Sequence, residues 1–386
     1  DSKERKPAIA HADLVISMLP AIYHVEVAKD CIEMRTDLIT PSYISPEMRA
    51  LNQEAIDAGI VIMNEIGVDP GIDHMSAMKV IDHIKAIGGT LTSFKSFCGG
   101  LLAPESDNNP WHYKFTWNPR NVIVAGQGPA ALYMDNNEYK YIPYSQLFKK
   151  LDRFEIPPYG YFDGYANRNS LIYSSTYGIE GIPTIYRGTL RRPNYCQGWD
   201  VFIQLGMTDD SYAMTNSETL TPRSFLNAFL PYELHTPVED KFKKVLGEEN
   251  AFLFEQFESM GIFDDSFTYG IENASPAKLL QQLLEPKWKL ESGDKDMLVM
   301  YHEFEYLINN EQKKITSSLV NLGVDEVYTA MSNTVGLPVA IAAKLILSGE
   351  IQEKGVTLPV KKKVYEPILK ELETFGIIFE EKEQTI

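Results

Sequence analysis

Residues 13–64 decide the fold, since they begin with DLVISM at 13–18, pass through LIT at 38–40 and end with IVIM at 60–63. Each of these short apolar runs is typical of a strand that is buried on both faces. The two segments between them carry apolar residues at helical spacing, and Ser45-Pro46 is a good N-cap and N1 pair for a helix reaching Ala58. The order β-α-β-α-β indicates a doubly wound parallel sheet, so we predict an α/β fold that begins with a Rossmann-like domain.

This Rossmann-like domain is expected to lack its first half. No GxGxxG sequence precedes residue 13, and a first βαβ unit would need about 30 residues. The segment 126–129 (GQGP) does not suit a phosphate-binding helix start. Because residues 1–11 (DSKERKPAIAH) are polar and begin without Met, we expect the chain to start inside a domain. Residues 1–92 are therefore predicted to be the second half of a dinucleotide-binding domain, with the N-terminal βαβ unit missing.

The rest of the chain divides by composition. Residues 93–220 are rich in Tyr, Phe, Trp, Gly and Pro and are predicted to form a mixed α/β substrate-binding domain. Residues 221–291 have the pattern of a small helical insertion. Residues 292–322 are expected to be two strands, joined at 309–312, that return to the substrate domain. Residues 323–386 are predicted to be helices that pack back on the Rossmann-like domain.

Charge and cysteine content exclude several kinds of protein. The chain has 36 Lys and Arg against 53 Asp and Glu, a net charge of −17, which repels phosphate backbones and anionic lipid surfaces. We therefore expect neither nucleic acid nor a membrane as a partner. The widely spaced cysteines favour a reducing, cytoplasmic setting, and the histidines lack the spacing of metal ligands, so no metal is expected. Cys98 could be a nucleophile in principle, but no dedicated base is apparent.

The loops after the three predicted strands are the expected ligand site, because open α/β sheets bind ligands beyond the carboxyl ends of their strands. These loops are 17–20 (SMLP), 40–45 (TPSYIS) and 64–74 (NEIGVDPGIDH). They could line a nicotinamide ribose and a polar substrate, with Asp69 facing both. Each also has a structural interpretation, in which Asp69 caps the next helix and Tyr43 is a packed aromatic. Taken together, on consecutive strand ends, they favour an active site.

A second candidate cluster consists of arginines in the aromatic domain. Arg168, Arg187, Arg191 and Arg192 are basic residues in an acidic protein, and a guanidinium can hold a carboxylate through two hydrogen bonds. A surface ion pair is the commoner role for any single arginine. We select Arg168 and Arg191 because they lie among Gly, Asn and Tyr in the sequence rather than among acids.

These residues resemble those of one family, the glutamate-forming saccharopine dehydrogenases, also called saccharopine reductases. The resemblance covers nearly the whole chain, in the family's order. The matching words are VISMLP (15–20), PSYISPEM (41–48), NEIGVDPGIDH (64–74), SFCGG with LLAPES (96–106), YKFTWNPRNV (113–122), NRNS (167–170), GTLR (188–191), DMLVMYHEFE (296–305) and TVGLP (334–338).

The resemblance implies an NAD(P)-dependent oxidoreductase of lysine metabolism that interconverts saccharopine with L-glutamate and 2-aminoadipate 6-semialdehyde, with NADP or NAD as the hydride carrier. It implies catalytic roles for Asp69 and Tyr43. The substrate would contact Ser42, Tyr43, Asp69, Arg168, Thr189, Leu190 and Arg191. The cofactor would be bordered by Leu19, Val68, Asp69, Pro70 and Gly99. The predicted strand pair within 297–319 and exposed aromatics favour a homodimer.

Two alternatives stay open. A related imine reductase could act on another substrate, such as a carboxylated polyamine, with fewer carboxylate anchors. The sequence after Arg191 continues RPNY at 192–195 where the family pattern has an aromatic residue, which bears on the exact substrate. A cofactor-dead binding protein is the other alternative, suggested by the missing glycine-rich loop.

Overall fold

The computed structural model describes residues 2–386, and two β-sheets organise it. The strands are β1 Leu14–Ile16, β2 Asp37–Ile39, β3 Val61–Met63, β4 Thr90–Leu102, β5 Ala131–Asp135, β6 Glu138–Ile142, β7 Leu151–Glu155, β8 Tyr161–Ala166, β9 Thr184–Arg191, β10 Asp296–Ile308, β11 Glu311–Leu322, β12 Gly355–Thr357 and β13 Glu380–Thr385. The helices are α1 Ser2–Ala10, α2 His24–Met34, α3 Pro46–Ala50, α4 Asn52–Ala58, α5 Ile72–Ala86, α6 Pro119–Ile123, α7 Tyr144–Leu147, α8 Tyr173–Thr176, α9 Tyr195–Leu205, α10 Pro222–Asn227, α11 Val238–Leu246, α12 Phe254–Ser259, α13 Pro276–Trp288, α14 Ala330–Leu347 and α15 Lys362–Thr374.

The first sheet is parallel and has the strand order β1-β2-β3-β12. Its first three strands alternate with helices as the hydrophobic runs predicted, and the α/β fold class is confirmed. Val27 and Cys31 on α2 pack with Leu38 and Ile62 in one buried cluster. The carboxyl ends of β1, β2 and β3 consequently lie at one edge of this sheet.

Two predicted helix boundaries near this edge were wrong. The helix expected from Ser45 to Ala58 is two helices, α3 and α4, which meet at Leu51, although Ser45 does cap the first by accepting the Met48 N–H at 3.1 Å. Asp69 does not cap α5, because residues 67–71 close into a loop before the helix starts. Gly71 occupies the cap position, and its N–H is bound by Asp73 at 2.6 Å. The Asp69 carboxylate instead accepts hydrogen bonds from Tyr43 and Arg187.

The second sheet is mixed, with the strand order β13-β11-β10-β4-β9-β5-β6, and β7 and β8 attach beside β9. Strand β9 runs parallel to β4, while the other pairs are antiparallel. The predicted β10–β11 hairpin is present, but its turn is shorter than 309–312. Asn309 and Asn310 have φ of 52° and 63°, the conformation of a two-residue type I′ turn, so the strands continue on either side.

Helices α10 to α13 form the helical segment after α9, and they pack on the second sheet through an aromatic cluster. Trp111, Trp199 and Trp288 are at its centre, each at most 2% exposed. The ring centroids of Trp111 and Trp288 are 5.4 Å apart in an edge-to-face arrangement. Through contacts with this cluster, Tyr113 and the first residue of α9, Tyr195, are held next to the end of β9.

The C-terminal segment contributes strands as well as helices. Strand β12 extends the first sheet beside β3, and β13 extends the second beside β11. Among the residues described, α14 is long and apolar enough to cross a membrane by length and composition alone, and half of it is buried inside the protein. Its Ile341 and Leu345 belong to the same apolar cluster as Leu298 of β10, so it packs here as a core helix.

Candidate active site

Hydrogen bonds join the loops at the carboxyl ends of β1, β2 and β3. His24 lies at the centre, since its Nδ1 is 2.9 Å from Ser17 Oγ and its Nε2 is 2.8 Å from Ser42 Oγ. The Glu65 N–H donates to the Ser42 carbonyl at 3.1 Å, which ties in the third loop. Burial lowers the pKa of His24. His24 was not among the predicted site residues, although its place in the first turn after the β1 loop is a signal in the sequence.

We call the partly exposed space around Asp69, bounded by Tyr43, Arg168 and Arg187, the cleft, and Asp69 is its polar centre. Its Oδ1 accepts a hydrogen bond from the Tyr43 hydroxyl at 2.9 Å and another from Arg187 Nη2 at 2.8 Å. The Asp69 side chain is 15% exposed, so it remains open to a ligand. Burial raises the pKa of the Asp69 carboxyl, and the charge of Arg187 opposes this rise. Tyr43 and Asp69, the two residues expected to be catalytic, are thus in direct contact.

Arg187 is the main site residue that the sequence analysis did not select. It lies on β9 with a side chain 8% exposed, and it also forms an ion pair with Asp73, which is 1% exposed. Its guanidinium carbon is 4.2 Å from the centre of the Tyr173 ring. Our criterion favoured arginines without acidic neighbours in sequence, but the partners of Arg187 are 114 and 118 residues away.

A second buried chain of hydrogen bonds supports the Asp69 loop from behind. His74 is fully buried, with Nε2 2.8 Å from Glu65 Oε2 and Nδ1 2.6 Å from the Tyr177 hydroxyl. Glu65 also accepts the Ile44 N–H at 2.9 Å. Burial acts to raise the pKa of Glu65, but His74, the Ile44 N–H and the charge of Arg187 together outweigh it and hold that pKa below its usual value. These hydrogen bonds connect the second and third loops to Tyr177, at the end of α8.

The two selected arginines have different surroundings. Arg168 is exposed, with φ of 49°, and its guanidinium carbon lies 4.7 Å from the centre of the Tyr43 ring, at the edge of the cleft. Arg191 is 4% exposed and lies 5.2 Å from the ring centres of both Tyr113 and Tyr195. Its Nε is buried without a partner. An unpartnered donor on a buried cation suits an anionic ligand group.

The remaining predicted substrate residues, Thr189 and Leu190, lie on β9 before Arg191. Thr189 is paired with Cys98 of β4 and is partly exposed. The Leu190 side chain is fully buried in the aromatic core, so it faces away from the cleft and only its backbone is placed for a substrate contact. Burial raises the pKa of the Cys98 thiol well above its usual value, which removes the thiolate that a nucleophile needs.

The predicted cofactor residues surround the same loops. Leu19, 48% exposed, and Met18, 60% exposed, present apolar surface after β1, as an aromatic cofactor ring requires. Val68 and Pro70 are buried on either side of Asp69. Gly99 lies where β4 approaches β9, and a Cβ there would be 2.4 Å from the Leu190 carbonyl oxygen. The residues present therefore fit the nicotinamide end of a dinucleotide.

Gly71 sets the shape of the Asp69 loop. Its φ is 148°, and a Cβ at this position would lie 2.1 Å from the Gly67 carbonyl oxygen, a distance that no relaxation of a side chain can relieve. We expect Gly71→Ala to lower the free energy of unfolding by about 3 kcal/mol or more, measured by urea denaturation. Gly59→Ala is the matched control, since Gly59 has φ of 74° and open space around it. Equal losses in both variants would contradict the steric argument.

The fold and the cleft are those of an α/β protein whose parallel sheet suits a dinucleotide, and the comparisons with known proteins place it among the oxidoreductases. The family models "Saccharopine dehydrogenase NADP binding domain" and "Saccharopine dehydrogenase C-terminal domain" match residues 1–63 and 67–377. The chain belongs to the saccharopine dehydrogenase family, which confirms the resemblance seen in the sequence.

Individual relatives agree with this assignment. The saccharopine dehydrogenase [NADP(+), L-glutamate-forming] of Saccharomyces cerevisiae is 34% identical over 99% of this chain and 87% of its own length. The solved structure of the apo, histidine-tagged yeast saccharopine dehydrogenase (L-Glu forming) matches with a TM-score of 0.90, over 100% of this chain and 87% of that one. The mitochondrial alpha-aminoadipic semialdehyde synthase of Mus musculus is 38% identical, and this chain spans only 40% of its length.

Proposed function

We propose that the protein interconverts saccharopine with L-glutamate and 2-aminoadipate 6-semialdehyde, with NADP as the hydride carrier. The observation that carries this proposal is the position of Asp69. It is held between Tyr43 and Arg187 at the carboxyl ends of three parallel strands, with Arg168 at the rim of the same cleft. The names of the yeast relative and of the domain model that matches residues 1–63 support NADP.

The charges of the cleft suit the charges of saccharopine, which has three carboxylates and two amines. Asp69 holds the secondary amine, while Arg168 and Arg191 hold carboxylates. In the oxidative direction, NADP+ bound beside Leu19 and Val68 would supply the acceptor for a hydride from the carbon next to that amine. Water then adds to the resulting imine, and the C–N bond breaks to give glutamate and the aldehyde. Positioning of the reacting carbon is the main contribution of the protein.

The direct test is turnover. Purified protein is mixed with saccharopine and NADP+, and the absorbance of the reduced cofactor is followed, with NAD+ in a parallel series. We expect reduction of NADP+ that depends on saccharopine, with release of glutamate in equal amount. Absence of turnover with either cofactor would contradict the proposal and favour the cofactor-dead binding protein. Turnover with a carboxylated polyamine but not with saccharopine would favour the other imine reductase.

We also propose that the protein works as a homodimer in the cytoplasm. The free, buried state of Cys31, Cys98 and Cys196 supports a reducing compartment. The β10–β11 hairpin is paired with β4 and β13 on its two outer sides, so a dimer would use a different surface from the hairpin edges. Light scattering in solution measures the oligomeric state directly.

A further inference from the structure

One guanidinium nitrogen serves two buried carboxylates. Arg187 Nη2 donates to Asp69 Oδ1 at 2.8 Å and to Asp73 Oδ2. The three side chains are 8%, 15% and 1% exposed in the order Arg187, Asp69, Asp73. A single positive charge thus lies between two negative charges where water does little screening. Asp69 and Asp73 therefore compete for the charge of one guanidinium group.

The neighbours of Asp69 come from every element packed around it. They are Tyr43 from the loop after β2, Asp73 and His74 from α5, Cys98 from β4, Tyr173 from α8, Arg187 from β9 and His302 from β10, with Arg168 above Tyr43. Within residues 2–386, Arg187 is the arginine that donates a hydrogen bond to Asp69. Burial and the charge of Asp73 both raise the pKa of Asp69, and Arg187 opposes them.

The Nη2 of Arg187 is committed to protein carboxylates, while its Nε is buried without a partner. Its guanidinium carbon lies 4.2 Å from the centre of the Tyr173 ring, and its backbone N–H is bound by Ser170 Oγ at 2.9 Å, which fixes the strand at this point. Both partners of its Nη2 are protein carboxylates. Through Nη2, Arg187 acts on a ligand by way of Asp69, unlike the exposed Arg168.

We propose that Arg187 is a positioning residue that keeps Asp69 as a carboxylate in the cleft, and that Asp73 determines how much of the Arg187 charge Asp69 receives. The role of Asp69 toward the substrate amine rests on the proposed function. The charge state of Asp69 does not, and it can be measured without turnover.

Substitutions of the two partners have opposite expected effects. Arg187→Gln removes the opposing charge, so the pKa of Asp69 should rise, by about one to three pH units. Asp73→Asn removes a like charge, so the pKa of Asp69 should fall. The asparagine side chain in this variant retains an oxygen that can accept the Gly71 N–H, now bound at 2.6 Å, which preserves the start of α5. Arg187→Lys keeps the charge and should remain within about half a pH unit of the unsubstituted protein.

The decisive measurement is a carboxyl ¹³C NMR titration of protein labelled at aspartate, with the Asp69 signal identified by its loss in Asp69→Asn. Arg223→Gln is the matched control, because Arg223 pairs with Glu239 in the helical segment, and its titration should equal that of the unsubstituted protein. Circular dichroism checks that each variant is folded. If Arg187→Gln does not fold, Asp73→Asn still tests whether the pKa of Asp69 moves in the expected direction. The proposal would be overturned if the Asp69 midpoint did not move in Arg187→Gln and Asp73→Asn, or if it moved in the same direction in these two variants.

Kinetics supply a readout that a purely structural role would not change. For Arg187→Gln we expect the pH profile of kcat/KM for saccharopine to move to higher pH by the same amount as the Asp69 midpoint, so that kcat/KM falls about tenfold for each pH unit below the new midpoint and recovers above it. A loss that is the same at every pH would overturn the proposal. Lack of turnover in the unsubstituted protein would instead contradict the proposed function, and the NMR titration would still decide the inference.

Discussion

Asp69→Asn is expected to reduce kcat/KM for saccharopine by about a hundredfold, which corresponds to about 3 kcal/mol. The substitution keeps the shape of the side chain and an oxygen for Tyr43, now 2.9 Å away, but it removes the negative charge. The secondary amine of the substrate then loses its counterion, and Arg187 is left with Asp73 alone. Both changes make the cleft more positive where a cation must bind. Steady-state kinetics with saccharopine and NADP+ measure the loss.

The control for this prediction is Asp57→Asn. Asp57 is an exposed residue of α4, where it accepts a hydrogen bond from Gln53 at 2.9 Å. Its substitution changes the net charge by the same amount outside the cleft, so kcat/KM should remain within about twofold of that of the unsubstituted protein. An Asp69→Asn variant that stays within this range would show that Asp69 does not carry the proposed role.

The edge of the first sheet could be predicted from the sequence because its signals are local. Three apolar runs separated by helical segments place consecutive strands side by side, and parallel strands present their carboxyl ends at one edge. The loops holding Ser42 and Asp69 could therefore be brought together from the order of these runs alone. The start of α5 could not be predicted in this way, because Gly71, with φ of 148°, occupies the cap position. The helix therefore begins at Ile72 rather than directly after Asp69.

The partners of Asp69 could not be predicted in the same way. The contact with Arg187 depends on the alignment of β9 beside β4, and it joins residues that are 118 positions apart. The clue in the sequence is weaker: Arg187 stands in a strand among Ile185, Tyr186 and Gly188, where a buried arginine is commonly paired with an acid. Sequence neighbours do not show which acid that is.

Strands β12 and β13 were not predicted from the sequence, for a related reason. Strand β12 (GVT) lacks the apolar run that marks β1 to β3, and β13 (EEKEQT) is exposed throughout and has no apolar alternation. They are strands because β3 and β11 offer unpaired backbone groups beside them, which is a property of the folded sheet. The burial of the Leu190 side chain could not be predicted either, since alternation along β9 does not show which face of the strand meets the aromatic core.

Removing the two selected arginines is the second prediction with a large expected effect. Arg168→Gln should lower kcat/KM for saccharopine by about tenfold, because this arginine is exposed and screened by water. Arg191→Gln should lower it by about a hundredfold, because Arg191 is 4% exposed and a substrate carboxylate facing it would lose its partner where water cannot replace it. The double variant should lose both contributions if the arginines hold different carboxylates.

Substrate analogues make this prediction specific. Three amides of saccharopine, each lacking one carboxylate charge, are compared with the parent compound in every variant. Substitution of an arginine should not change kcat/KM for the amide that lacks the carboxylate it holds. The same substitution should still lower kcat/KM for the other two amides, as in a double-mutant cycle. Arg192→Gln is the matched control, since Arg192 packs on the Phe162 ring at 4.5 Å and donates to the Tyr159 carbonyl at 2.7 Å. A double variant that retains saccharopine turnover within about threefold would show that these arginines are not the carboxylate anchors, and would favour a substrate with fewer carboxylates.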